Sequence, residues 1–438
     1  MPSILIKEID ATTGGGRNTN FNVVYIPGFM SNDVSTDAGK ATGAWPIGKS
    51  GSVDYTTAAP ANTPILCESI KDFEKYFGTK PATFEDDSGD TTVDKSYIYA
   101  KELLKLGLPV LYESMNGINT SGTIDAPDKS KLVLTGDNNI FEKLTDRGEY
   151  QFKYLTSGGY GNYTPGSSDG GYAKMRDVAV ARGDCLVLVD YITSTTELTT
   201  LYETVKSDFS SLDGADQCAL FAPWVNIDCS TYDPGRDSDG KKISNTIIMP
   251  PSFAYLSALG NSIRTNASWL AVAGATRGQI PNLNGKTPLS VSVSNSAAES
   301  VQNRDNISIN AITNIKPFGH RIWGNRTLKN NSTEGNLTAT SFLNIRNMVC
   351  DVKKIVYEAC RKYTFEQNND VLWLNFKSYV EPTLNQMKTG AGLSGYKIIK
   401  EETDEKAKLV ATIKLYPLYA VEDFDITVKM LDDEIAVS

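Results

Sequence analysis

Apolar positions along this chain switch between two spacings, and the switches mark out its parts. Residues 3–9 alternate as a short strand, and Gly14-Gly15-Gly16 with a polar stretch separates them from the rest of the chain, as in a tethered arm. Phe21 to Phe29 is a second strand, leading into a Gly/Ser/Thr/Ala-rich loop up to about residue 62. Ser69 to Gly78 reads as a helix with Ser69 as N-cap and Gly78 as stop. A helix over Asp94–Leu106 ended by Gly107, then a strand over Pro109–Glu113, come after an acidic loop. Residues 117–148 are polar and turn-rich, a small insertion or exposed loop.

From residue 150 strands and helices alternate: strand 150–156, helix 171–182, strand 185–192, helix 196–210 and strand 217–225. Continuous apolar strands such as Cys185-Leu-Val-Leu-Val189 are the mark of a parallel sheet covered on both faces. A helical pattern runs Ser252 to Ala273 after Pro250-Pro251, and residues 289–323 return to short strands. Ser341 to Tyr363 then sets Phe342, Ile345, Val349, Val352, Val356, Ala359 and Tyr363 at three- and four-residue spacing, an amphipathic helix. A second helix covers about 367–388, with Pro382 expected to kink it. Strands Tyr396–Glu401 and Leu409–Tyr416 come next, and Phe424–Met430 closes the pattern at period two. The predicted class is α/β with an α+β mixture. Its parts are an arm at 1–20, an α/β part at 21–116, a variable insertion or loop region at 117–149, an α/β core at 150–330, a helix-and-strand unit at 331–422 and a second arm at 423–438.

Composition adds exclusions. With 40% hydrophobic and 22% charged residues the chain is a folded protein. The net charge of −9, with no Lys/Arg cluster, argues against nucleic acid as a partner. The first ten residues lack a signal peptide's basic start and apolar stretch. The longest strongly apolar run, Cys185–Ile192, is interrupted by Asp190 and too short to span a bilayer. No membrane insertion and a cytoplasmic place of synthesis are expected. The six cysteines have no metal-ligand spacing and read as small buried hydrophobes, with Cys350 and Cys360 on the apolar side of their helix.

Two motifs argue for chemistry. Gly43-Ala-Trp-Pro-Ile-Gly48-Lys49-Ser50 fits the phosphate-loop pattern letter for letter, but that loop needs a buried strand before it and a helix after it. Residues 31–42 hold no strand pattern, and Gly51, Pro60 and Pro64 exclude a helix behind it. Nucleotide binding through Gly43–Ser50 is thus the alternative reading. Leu186-Val-Leu-Val-Asp190 has the form of a magnesium-holding strand end, and equally of an Asp capping the following turn. Arg182-Gly183-Asp184 is an adhesion-type tripeptide lying between a helix end and a strand start, where Gly and Asp are ordinary turn residues. The single histidine, His320, lies among turn residues and has no G-x-S-x-G serine to serve. No catalytic residue, cofactor or metal is expected.

The ends offer something else. Ile4 and Ile6 at one terminus, and Phe424, Ile426, Val428 and Met430 at the other, sit at period two outside the α/β body. Such strands either pair with another chain or fold back on their own sheet; composition leaves both open. Residues 399–438 carry ten acidic and five basic side chains, a solvated face or one opposing a basic neighbour.

Seven stretches in order resemble the tail sheath proteins of contractile phage tails and phage-tail-like injection systems. They are Ile4–Asp10; Thr63–Phe73 with Phe77-Gly78; Pro250-Pro-Ser-Phe-Ala-Tyr255 with Trp269 and Pro281; Ile315 to Leu328, containing Trp323-Gly-Asn-Arg-Thr-Leu328; Phe342–Arg346; Phe365–Asn368 with Trp373; and Gly395-Tyr396. Arg277-Gly-Gln-Ile280 departs from the family pattern, and only 117–148 could match the larger surface domain that the family often carries near its first third.

The resemblance implies a sheath-protein fold with extended terminal arms and a structural, non-enzymatic subunit. Such subunits polymerise helically around an inner tube and contract to drive it through a target envelope. The implied partners are further copies of the chain, the inner tube protein, and baseplate and tail terminator proteins. The implied location is a virion tail or phage-tail-like particle assembled in a bacterial cytoplasm. It also implies that arms from neighbouring subunits complete a sheet beside the C-terminal unit. The helix at 367–388, with Trp373, Lys377 and Lys388, is the expected tube-facing element, although Trp373, Leu374 and Phe376 suit a core equally well.

Overall fold

A computed structural model describes residues 22–30, 61–85, 91–116, 126–127, 141–160, 171–190, 197–209, 213–235, 240–302, 306–330 and 337–422. Ile4, Ile6, Gly43–Ser50, Phe424, Ile426, Val428 and Met430 lie outside these residues.

In chain order the strands are β1 (Val24–Gly28), β2 (Pro64–Cys67), β3 (Thr83–Glu85), β4 (Thr91–Val93), β5 (Val110–Ser114), β6 (Tyr154–Leu155), β7 (Leu186–Val189), β8 (Cys218–Ala222), β9 (Val225–Asp228), β10 (Thr246–Met249), β11 (Asn310–Ile315), β12 (Gly319–Trp323), β13 (Leu393–Glu401) and β14 (Val410–Pro417). The helices are α1 (Ile70–Phe77), α2 (Lys95–Lys105), α3 (Gly171–Arg182), α4 (Leu198–Phe209), α5 (Pro251–Ser262), α6 (Gly274–Arg277), α7 (Asn295–Ser300), α8 (Leu343–Tyr363) and α9 (Asp370–Thr389).

A mixed eight-stranded sheet in the order β12-β11-β8-β7-β6-β1-β5-β2 forms the body. Its inner strands run parallel, while β2 and β12 close the edges antiparallel. Period-two geometry explains the continuous apolar strands. Leu186 and Leu188 of β7 point into a core with α1, α2 and α5, while Val187 and Val189 point into an opposite core with α3, α4 and α7. Phe141 and Leu144, at the end of the polar 117–148 stretch, are buried in that second core.

The caps of α1 fall where the residues predict: Ser69 accepts from the Asp72 amide, and Gly78 takes a positive φ as the helix ends. Asp94, read as the first helical residue, is instead the N-cap of α2. Three further expectations need correction. The helix predicted over 252–273 stops at Ser262, where the Asn266 side-chain amide bonds the Ser262 carbonyl. Residues 289–323 are not strands throughout, since Ser294 caps the short α7. Cys360 is exposed, unlike Cys350, since α8 turns that side outward. Pro382 sits inside the continuous α9.

Among the described residues Asp190 caps a helix far along the chain. Its carboxylate accepts from the Ser252 amide (2.8 Å) and hydroxyl (2.6 Å), closing the start of α5, whose own N-cap, Pro250, offers no side-chain acceptor. Burial pushes the Asp190 carboxyl up to about 7, against the lowering pull of the Ser252 bonds. The folded state then holds a proton that the unfolded chain has lost above about pH 4. Stability from this site should fall as pH rises from about 4 to 7 and then level off. The Asp94, Glu113 and Glu358 carboxyls are also raised, so chemical denaturation across that range is expected to show a difference between wild type and Asp190→Asn that changes from pH 4 to 7; parallel curves would refute it.

Candidate functional site

The C-terminal unit is α8, α9 and the β13–β14 hairpin around a third apolar cluster. Trp269, carried there by the chain leaving α5, completes it and donates its indole N–H to the Gly390 carbonyl (2.9 Å). A Cβ at Gly390 or Gly392 would stand 2.7 or 2.5 Å from the Trp269 ring, which is why the chain after α9 carries glycine there.

Helix α8 belongs to two cores at once. Phe342, Ile345, Val352 and Ala359 of the predicted stripe pack in the C-terminal cluster, while Leu343 and Cys350 pack into the body. Between them runs a buried ionic joint. Lys354 pairs with Asp184 (3.1 Å) and donates to the Phe152 carbonyl (2.6 Å). Arg182 pairs with Asp184 (2.9 Å), donates to the Leu144 and Tyr150 carbonyls, and lies over the Phe152 ring. Lys153 pairs with Asp351 (2.6 Å), and the Tyr154 hydroxyl donates to Asn347. Burial works to raise the Asp184 carboxyl, but Lys354 and Arg182 outweigh it and hold it below the usual range. That stability is present above the usual carboxylate range and is lost as pH falls through the lowered pKa. The Arg182-Gly183-Asp184 tripeptide is therefore the inner half of a joint, and with Arg182 only 1% exposed it offers nothing to an adhesion receptor.

The Trp323–Leu328 segment holds the other side of the joint. A Cβ at Gly324 would meet Asn310 Cα at 2.8 Å. Phe342, at the N-cap of α8, offers no side-chain cap; Asn325 replaces it from afar. Its carbonyl accepts the Leu343 amide (3.0 Å), and its side-chain oxygen accepts the Asn344 amide (3.2 Å). Thr327 donates to the Thr340 carbonyl, and the Leu328 amide bonds the Cys218 carbonyl with its side chain in the body core.

The surface of the C-terminal unit is unlike the rest of the described surface. Seven of the twelve exposed large apolar side chains among the described residues belong to it or to the chain just after β14: Phe365, Val371, Leu374, Tyr416, Leu418, Tyr419 and Val421. Phe365, at the α8–α9 corner, is 100% exposed at a φ of 72°. A bulky residue in the left-handed region costs about 1–2 kcal/mol, a strain that goes with function. Beside it an open groove of about 400 Å³ is lined by Val356, Tyr363, Leu372, Phe376, Leu409 and Ile413. Among the described residues β13 and β14 form a two-stranded sheet with no third strand on either side.

Of the predicted tube-facing residues, Trp373 is half-buried and stacked on Phe376, Lys377 is half-buried, and Lys388 is exposed in the last turn. Between 371 and 386 every exposed position of α9 is uncharged: Val371, Leu374, Asn375, Ser378, Pro382, Asn385 and Gln386. His320 lies half-buried on β12 rather than in a turn, its pKa lowered by burial and by Arg321. Among the described residues no cluster of His, Cys, Asp or Glu could hold a metal ion, and no helix is long and apolar enough to cross a membrane.

Comparison with solved structures places this architecture. A chain of the sheath complex of an extracellular contractile injection system, PVC, in its contracted state superposes with a TM-score of 0.59 over 98% of this chain and 97% of that one, at 14% identity. The chain has the fold of a contractile sheath subunit. Chains from the anti-feeding prophage baseplate match similarly. One, from the six-fold symmetrised structure, gives a TM-score of 0.58 at 14% identity over 99% of both chains. Another, from the contracted state, gives 0.55 at 16% identity over 98% of this chain and 99% of that one. In sequence, the tail sheath protein of Vibrio phage KVP40 is 23% identical over 159 residues, 35% of this chain and 22% of the relative's own length. No family model matches the chain.

The sheath fold accounts for the mixed sheet and the C-terminal unit together. Arg182, Asp184, Lys354, Lys153 and Asp351, which build the joint, carry no local signal in the sequence. The nearest hint was the Arg182-Gly-Asp184 tripeptide, whose partner Lys354 is 170 residues away.

Proposed function

We propose that the chain is the structural subunit of a contractile sheath that polymerises around an inner tube and drives it through a target envelope. The observation that carries this reading is the end-to-end match to a chain of a sheath complex. The surface of the C-terminal unit supports it: an open two-stranded sheet, a strained exposed Phe365 and an apolar groove are what a neighbour would cover. Ile4 and Ile6, with Phe424, Ile426, Val428 and Met430, are the proposed strands that pair between subunits beside that sheet.

The uncharged face of α9, ending at Lys388, is the proposed tube contact; Trp373 and Lys377 support it from behind. Baseplate and terminator proteins are the further proposed partners, and a phage tail or injection-system particle the proposed location. Contraction needs no nucleotide in this reading, since the driving energy lies in subunit packing.

Sedimentation of the purified chain, alone and with its tube protein, tests this. Wild type and Lys49→Ala are expected to pellet equally as polymer. A Lys49→Ala loss restored by added nucleotide would favour the phosphate-loop alternative at Gly43–Ser50, and a chain that stays in the supernatant with its tube protein would refute the sheath reading.

A further inference from the structure

The Trp323–Leu328 segment does more than cap α8. Arg326 is 4% exposed, yet its guanidinium reaches the last described residue before the C-terminal segment. Nε donates to Glu422 Oε1 (3.1 Å) and Nη2 to Oε2, a two-pronged pair. The same guanidinium lies 4.3 Å over the Phe342 ring, and the Tyr419 ring meets Phe342 edge-on at 5.0 Å. Arg326, Phe342, Tyr419 and Glu422 thus close a ring that brings the chain after β14 back to the joint between body and C-terminal unit. The anchoring is specific, because the neighbouring Leu418, Tyr419 and Val421 side chains are otherwise exposed.

We propose that Arg326 is a latch that sets where the segment beyond Glu422 leaves the subunit, and so the register in which it can pair with a neighbour. The assembly half of this rests on the sheath reading; the latch itself does not. The latch is built to open. Arg326 Nη1 is buried with no acceptor among the described residues, so the pair lacks part of the compensation its burial requires. Glu422 is the more exposed partner, its side chain 24% accessible, so water can take its place.

Glu422→Gln touches only the latch, and Arg326→Lys keeps the charge while losing the fork. Hydrogen exchange on the lone subunit is expected to speed about tenfold for the amides of residues 418–422 in both variants, with those of α8 unchanged. Tube yield should fall in the same variants. Unchanged exchange at 418–422 overturns the latch, and faster exchange with undiminished tube yield overturns its role in assembly. A wild type that forms no tubes would refute the sheath reading, while the exchange result would still decide the latch.

Discussion

Asp184→Ala is expected to cost about 3–5 kcal/mol, a large share of the roughly 5–15 kcal/mol that holds a typical domain folded. Asp184 is the shared anion of Arg182 and Lys354, all three buried. Removing it leaves two cations facing each other away from water. Lys354→Met should cost less, because Arg182 remains on Asp184 and a methionine fills most of the lysine's volume. It does release the Phe152 carbonyl. The order matters more than the values: urea unfolding should rank Asp184→Ala well below Lys354→Met, with wild type most stable. Equal stability of Asp184→Ala and wild type would mean the joint contributes nothing.

The second large effect concerns the ends. Deleting residues 1–12 or 423–438 is expected to leave a folded monomer whose tube yield drops to background. The reasoning starts from β13 and β14. A two-stranded sheet is marginal alone in water, and this one is held by the apolar cluster under it. Its outer backbone groups gain hydrogen bonds when a strand is added, and alternating side chains set the register. Both truncated chains keep every described residue of the apolar clusters and of the joint, so the unfolding transition is expected to stay where it is. Normal tubes from either truncation would contradict the account of the arms.

How much of this was legible in the sequence divides along sequence distance. Ser69 and Gly78 announce the ends of α1 because a cap is a contact among residues a turn apart. The apolar runs at 185–189 and 218–222 announce a two-faced sheet for the same local reason. The features that were not legible depend on partners far along the chain. Nothing near Asp190 shows that it caps a helix starting at Pro251, nor does anything near Asn325 show that it caps α8. The helix after Pro250 looked long because its apolar spacing continues; it stops at Ser262, where the Asn266 side chain bonds back, and Trp269 packs against Gly390 and Gly392. Trp323-Gly-Asn-Arg-Thr-Leu328 stood out as a motif, while the work of its members could be read only once Asn310, Phe342 and Glu422 were placed around it.

The same division applies to the proposed contact surface. Val371, Leu374 and Phe365 have no pattern that marks them as outward-facing; a helix prediction would bury the first two. They stand out because α9 turns Phe376, Val380, Leu384 and Met387 inward instead.

Electron microscopy of the purified chain assembled with its tube protein decides whether the chain forms a sheath. Hollow helical tubes sleeved on the inner tube, convertible to a shorter and wider form, are expected. A monodisperse particle that never polymerises, or one that hydrolyses ATP while remaining a monomer, would contradict the sheath reading.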